Sequence, residues 1–166
     1  MKRILFTLIA SGLAVLCAAP ASACHLTAEA SCPNEELADR ELLGTNLTKA
    51  NLTKANLYRV NAQNSNMTGA NLYQSVLYYS NLKGANLSNA NLSEAIAYYA
   101  EMNNADFTNA NMSGVNLHKA DLSGADLSGA NLTDANLSGT KLAGATFCKT
   151  TMPDGTINNS GCKGTL

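Results

Sequence analysis

From Thr45 to Met152 one pattern returns every five residues without a slip, and that period constrains the fold more than any other property of the chain. Phrases such as KANLT, KGANLSNANLSEA and LSGADLSGANLTDANLSG display the unit. Its central position, Leu47 and every fifth residue to Met152, occurs 22 times and holds fourteen Leu, four Met, two Phe (Phe107 and Phe147) and two Ala (Ala62 and Ala97). Two residues earlier, 14 of the 22 positions are Ala and the rest are Ser, Thr or Val. Between these two apolar columns stands Asn or Asp in 16 units. A period of five suits neither ordinary secondary structure. On an α-helix five residues turn through about 500°, so successive Leu would scatter around the axis. On a flat strand an odd period sends successive Leu to opposite faces. Every Leu and Ala is buried together only if the chain turns once per unit, with short straight sides joined by corners. Such a path closes into a coil, and coils stack.

Irregularities give the size of one coil. Tyr58, Tyr78 and Tyr98 recur at intervals of 20, as do Tyr79 and Tyr99, and Val76 and Ile96. Deviations that recur after every fourth unit are neighbours on adjacent turns, which predicts four sides per coil. A triangular coil of three units aligns only Tyr58 with Tyr73 and ranks second.

The units resemble the A-(D/N)-L-x-x pattern of the pentapeptide-repeat family, over Thr45 to about Met152. The resemblance implies an all-β fold, a right-handed quadrilateral β-helix with four pentapeptides per coil, in an exported bacterial member of that family. About six coils at ~4.8 Å would make a rod of roughly 28 Å. Leu and Ala should fill the axis, and Asn or Asp should bond the local backbone and stack into ladders. This structural role is the reading adopted for Asp106, Asp121 and Asp126. The Asn-Leu-Thr and Asn-Leu-Ser triplets follow from the repeat and say nothing about glycosylation.

The chain divides into four parts: residues 1–23 a signal peptide, 24–44 an N-terminal cap, 45–152 the solenoid and 153–166 a C-terminal cap. The first part has a basic pair at Lys2 and Arg3, an apolar run from Ile4 to about Ala19, and the small tripeptide Ala21-Ser22-Ala23. The run is shorter than the roughly 20 residues of a membrane span. The mature chain is therefore expected in the periplasm or secreted, with no membrane span. Cys24 directly follows the expected cut, where a lipoprotein carries its lipid, but Ala21 stands where such signals place Leu. A lipid-anchored envelope scaffold is thus the alternative. In the cap, Pro33-Asn34-Glu35-Glu36 reads as a helix start, giving a short helix over about Asn34 to Leu43. Leu37 and Leu42 also fall in repeat register, which leaves an irregular first coil open. Met152-Pro153-Asp154-Gly155 is a turn that stops the pattern. After Cys17 leaves with the signal, Cys24, Cys32, Cys148 and Cys162 remain, an even number suited to an oxidising compartment. Four cysteines allow three pairings. Proximity in sequence favours Cys24 with Cys32 and Cys148 with Cys162.

Function is sought where the chain departs from its own repeat. Ser75-Val76-Leu77-Tyr78-Tyr79 and Ala95-Ile96-Ala97-Tyr98-Tyr99 replace the usual Asn by Val or Ile and follow the central residue with two Tyr. With four units per coil these segments lie over one another, with Tyr58-Arg59 before them, His118-Lys119 after them and Tyr73 on the adjoining side. The column reads either as a stacking ladder that stabilises its coils or as a docking surface. The candidate binding patch is Tyr58, Arg59, Tyr73, Val76, Tyr78, Tyr79, Ile96, Tyr98 and Tyr99. Its expected occupant is a protein partner or a second copy of the chain. Residues 42–157 hold seven charges of each sign, so no basic field attracts nucleic acid. Some cytoplasmic members of the family resemble B-form DNA, which implies a further alternative, a DNA mimic that binds a topoisomerase; the signal sequence and the neutral body speak against it. The two histidines, His25 and His118, lie far apart, and no catalytic, metal or phosphate-binding motif is present. The expected protein is a non-catalytic scaffold with no cofactor and no metal.

Overall fold

A computed structural model describes residues 24–162. Residues 1–23, where the signal peptide is expected, and the last four residues lie outside the described part. Every bridge in the repeat body is parallel and joins a residue to the one 20 positions on, from Ser31 with Asn51 to Asn131 with Thr151. The coil therefore closes after four units, with four sides, and the triangular alternative is excluded. In the repeat body the first side carries Leu47, Met67, Leu87, Phe107 and Leu127. The second carries Leu52, Leu72, Leu92, Met112 and Leu132. The third carries Leu57, Leu77, Ala97, Leu117 and Leu137, and the fourth Ala62, Leu82, Met102, Leu122 and Leu142.

Each unit is built from the same few hydrogen bonds. The Leu47 N–H donates to the Asn66 carbonyl of the next coil (2.7 Å), and the Asn66 N–H donates back to Thr45 (2.9 Å). The corner is a four-residue turn closed by the Ala50 N–H to the Leu47 carbonyl (3.0 Å). Its third residue adopts a left-handed backbone in every unit, Lys49 at φ 55° and Gly84 at φ 65° among them. That conformation costs an ordinary residue about 1–2 kcal/mol, which explains why Gly, Asn and Asp recur in the slot. The central residues from Leu47 to Leu132 are buried, as are the Ala two positions earlier, in one continuous core along the axis. Phe107 and Ala97 lie two units apart on opposite sides, so a large and a small side chain offset one another.

The Asn column does two jobs. Asn46 Oδ1 accepts the Thr48 N–H (3.1 Å) and the Thr48 hydroxyl (2.7 Å), and the same turn recurs at Asn51, Asn91 and Asn131. Between coils Asn81 Nδ2 donates to Asn61 Oδ1 (3.2 Å) and Asn91 Nδ2 to Asn71 Oδ1 (3.1 Å), forming the ladder. Asp121 uses the same geometry. The Ser123 hydroxyl and then its N–H (3.0 Å) stabilise the ionised carboxylate, with Lys141 3.4 Å away, and together they lower its pKa. A lowered folded-state pKa means that the stabilisation is present above the ordinary aspartate range and is lost as pH falls through it. Titration of the Asp121 carboxyl by NMR should give a midpoint below the ordinary aspartate value, and Ser123→Ala should raise it more than Lys141→Ala does.

The N-terminal segment differs from the expected helix. Residues 31–44 are wound in the five-residue geometry: Cys32, Leu37 and Leu42 join the core, and Ser31, Glu36 and Glu41 bridge to Asn51, Asn56 and Asn61. Pro33 and Asn34 form the corner, with Asn34 at φ 58° in the left-handed slot. A proline followed by an asparagine suits such a turn as well as a helix start. Cys24, Leu26 and Ala30 pack against the core at this end, and Cys24 is disulfide-bonded to Cys32 with Cα atoms 5.6 Å apart. At the other end β1 (Thr150–Thr151) pairs antiparallel with β2 (Ile157–Asn158), and Cys148 is disulfide-bonded to Cys162 with Cα atoms 4.6 Å apart.

One coil departs from the dry interior. Ser65, Ser75 and Ser80 replace Ala at the inward position before the centre, and their buried hydroxyls have no partner among the described residues. At the equivalent position Thr150 donates its hydroxyl to the Leu127 carbonyl (2.7 Å). An unpaired buried hydroxyl costs about 1–3 kcal/mol. Ser75→Ala and Ser80→Ala should each therefore raise stability, by about 1 kcal/mol in denaturant unfolding.

Candidate functional site

The third side carries the aromatic column. Tyr58, Tyr78 and Tyr98 follow the central residue on successive coils, with ring centroids 5.9 and 5.8 Å apart. Tyr79 and Tyr99 form a second column at the corner, stacked at 5.2 Å and 21°. The two columns interlock, Tyr78 lying 4.3 Å from Tyr79. Hydrogen bonding with the Tyr79 side chain raises the Tyr78 pKa above the ordinary phenol value, and desolvation among the rings adds to it. Val76 and Ile96 bridge each other on the near side of the same strands. With Tyr78 and Tyr98 they line a shallow apolar groove of about 210 Å³. Tyr79, Ile96 and Tyr99 are 48%, 43% and 37% exposed, so this is an open surface rather than a covered ladder.

One local rule of the repeat is broken here on two successive coils. Val76 and Ile96 have no side-chain oxygen, so the turn-capping bond made at Asn56 to Tyr58 and at Asn116 to His118 is absent. The Tyr78 and Tyr98 N–H groups accordingly have no acceptor among the described residues. Tyr79 and Tyr99 occupy the left-handed corner slot at φ 57° and 52°, the conformation every unit adopts there.

Other predicted site residues fall around this centre. Arg59 lies 5.9 Å from the Tyr58 ring centroid and pairs with Asp39 at 3.3 Å. Tyr73 stands apart from the stack: its hydroxyl turns to Glu94 (3.4 Å), which also accepts from Gln74 (2.6 Å). Beyond the predicted patch, His118 meets the edge of Tyr98 at 5.1 Å, and Lys119 donates to the Tyr99 hydroxyl (3.0 Å). That bond raises the Lys119 pKa and keeps the amine charged. Past the corner, on the fourth side, a second groove of about 430 Å³ is lined by Tyr99, Lys119, Lys83, Glu101, Asp121 and Lys141 among others. The sequence reading overlooked this groove. Its signal was available: Glu101 and Lys141 break the Asn/Asp column on one side of the rod, two coils apart.

Among the described residues no group of three or more His, Cys, Asp or Glu could hold a metal ion, and no helix is long and apolar enough to cross a membrane. Stacked coils around a filled axis, with polar and aromatic side chains turned outward, define the class: a β-solenoid whose sides display side chains. The chain belongs to the pentapeptide-repeat family, whose model, described as pentapeptide repeats, matches in overlapping segments from residue 41 to residue 152. The family fold is the right-handed quadrilateral β-helix. Among solved structures, trypsin-treated QnrB1, described as a plasmid-mediated fluoroquinolone resistance protein, is similar at 22% identity with a TM-score of 0.58. The match covers 70% of this chain and 62% of QnrB1, and it shows the fold alone. HetL, a pentapeptide-repeat protein involved in heterocyst differentiation regulation from the cyanobacterium Nostoc sp. strain PCC 7120, is 24% identical over 77% of this chain and 78% of its own, with a TM-score of 0.40. Comparison with curated proteins gives no match.

Proposed function

We propose that this chain is a non-catalytic scaffold of the cell envelope, periplasmic or secreted, that engages a protein partner through the Tyr-rich third side. The observation that carries the reading is the coincidence at Val76–Tyr79 and Ile96–Tyr99 of lost turn caps, paired tyrosines and exposed apolar surface. A lost cap costs stability, and a local rule broken on two successive coils at one exposed patch points to function rather than to the fold. Tyr enrichment and an open apolar groove are properties of protein interfaces. Export is supported by the basic, apolar and small-residue order of residues 1–23 and by the two disulfides. The Cys24 thiol that a lipid would occupy is bonded to Cys32, which weighs against the anchored alternative.

The test separates function from stability. Val76→Asn with Ile96→Asn restores the turn caps and should stabilise the chain by about 1 kcal/mol for each hydrogen bond regained. A photo-reactive residue at Tyr79, with export intact, should capture a defined protein in cells. The same residue at Asn109, exposed on the opposite first side, should not. Capture that survives the double Asn variant, or that occurs equally from Asn109, would reduce the column to a stacking device.

A further inference from the structure

Two grooves flank the corner ridge formed by Tyr79 and Tyr99, and they differ in chemistry. On the third side lies the apolar groove of Val76, Tyr78, Ile96 and Tyr98. On the fourth lies the lysine-bearing groove, which Tyr99 and Lys119 reach from the ridge itself. The consecutive residues Tyr98 and Tyr99 each line one of them, so the grooves are adjacent across a single residue of chain. Within the second groove Asp121 is taken up by Lys141 at 3.4 Å. Lys83 makes no ion pair among the described residues, and the side-chain hydrogen bond of Lys119 goes to a neutral phenol. These two amines face one remaining carboxylate, Glu101, which leaves the groove with a net positive charge. The opposite flank has the reverse sign: Glu94, held by Gln74 and Tyr73, precedes Ala95 and Ile96 at the other corner of the third side. Across the patch the order is thus acid, apolar groove, Tyr ridge, amines.

Resting on the protein-binding reading above, we infer that the occupant is a protein segment of defined polarity, with an apolar side chain seated between Val76, Ile96, Tyr78 and Tyr98 and an acidic side chain reaching over the Tyr ridge to Lys83 and Lys119. Charge complementarity of this kind fixes orientation and repels the reversed segment, which would set its carboxylate against Glu94. The apolar groove is sized for one aliphatic or aromatic side chain, so the anchor is single and the acid gives the direction.

A displayed library of random twelve-residue peptides, selected on the full mature chain and counter-selected on its Ile96→Ser variant, provides the probe. Enriched peptides should pair an apolar residue with Asp or Glu. In fluorescence anisotropy they should bind Lys83→Glu/Lys119→Glu roughly tenfold more weakly than wild type. Exchanging the peptide's acid for Lys should recover binding to that charge-reversed variant and lose it on wild type. Unchanged thermal melts would certify both surface variants as folded. Peptides that need Ile96 but ignore the lysines would overturn this inference and leave the protein-binding reading standing. An absence of peptides dependent on Ile96 would count against both. A wild-type dimer in light scattering that Ile96→Ser dissolves would make the occupant a second copy and refute the inference.

Discussion

Leu87→Asp is expected to abolish the cooperative thermal transition of the rod, whereas Leu142→Asp leaves it nearly intact. Leu87 is fully buried in the middle of the stack, with coils on both sides. Removing its side chain forfeits roughly 2–5 kcal/mol of packing. Burying a carboxylate without a partner adds several kcal/mol more, and the sum rivals the roughly 5–15 kcal/mol that stabilises an ordinary domain. A solenoid passes stability only between neighbouring coils, so a defect at the centre divides one cooperative unit into two short ones. Leu142 belongs to the last turn of the fourth side, partly open to solvent, where an introduced carboxylate reaches water. Its cost should be about 1 kcal/mol. Circular dichroism melts of both variants decide the matter, and equal midpoints would mean that the axis is not the source of stability.

The repeat was legible because its information is redundant. Leu and Ala columns five apart admit one way of being buried together, and the regular recurrence of Tyr58, Tyr78 and Tyr98 already favoured four sides per coil over three. The same recurrence placed Val76 over Ile96 and Tyr79 over Tyr99, which the structure brings to bridging and stacking distance. What escaped the sequence reading lies where signals are single rather than repeated. Pro33-Asn34-Glu35-Glu36 carries cues shared by a helix start and a tight corner, and only the burial of Leu37 and Leu42 in the core distinguishes them. Tyr73 sits one side away from the stack, and its hydroxyl chose Glu94, a partner on the next coil that no local pattern announces. The lysine-bearing groove is assembled from Lys83, Lys119 and Lys141, spread over three coils and two sides, so it exists only after winding.

The coil that carries Val76, Tyr78 and Tyr79 is also the coil with three unpaired serine hydroxyls. Ser75 and Ser80 immediately flank the Val76–Tyr79 segment, and Ala62 replaces a central Leu in the turn below. Unpaired hydroxyls beneath an exposed patch fit a repeat scaffold that gives up local stability at one place and recovers it from the coils above and below. Those coils keep the turn caps that Val76 and Ile96 lack. Below the patch Asn51 Oδ1 accepts the Thr53 N–H (3.2 Å), and above it Asp106 Oδ1 accepts the Thr108 N–H (2.8 Å).

Replacing Cys148 and Cys162 by Ser is expected to open the C-terminal end without disturbing the middle of the rod. The bridge closes a loop with a sequence separation of 14, and releasing such a loop costs about 3 kcal/mol in chain entropy. The shorter closure between Cys24 and Cys32, separated by 8, should contribute about 2.5 kcal/mol. What the C-terminal bridge holds is specific. Gly161 donates to the Phe147 carbonyl (2.6 Å), and Lys149 donates to Asn159 Oδ1 (3.0 Å). The same segment offers the Thr151 and Pro153 carbonyls to the Leu132 and Asp134 N–H groups (2.8 and 3.0 Å). In the double Ser variant, amide exchange at Leu132 and Asp134 should accelerate on the order of 100-fold, the equivalent of about 3 kcal/mol. Exchange at Leu82 and Leu87 should be unchanged, because the coils between them and the opened end remain stacked. A uniform acceleration along the chain would show instead that the rod melts as one indivisible unit, and no change at Leu132 would show that the antiparallel pair holds the end without its bridge.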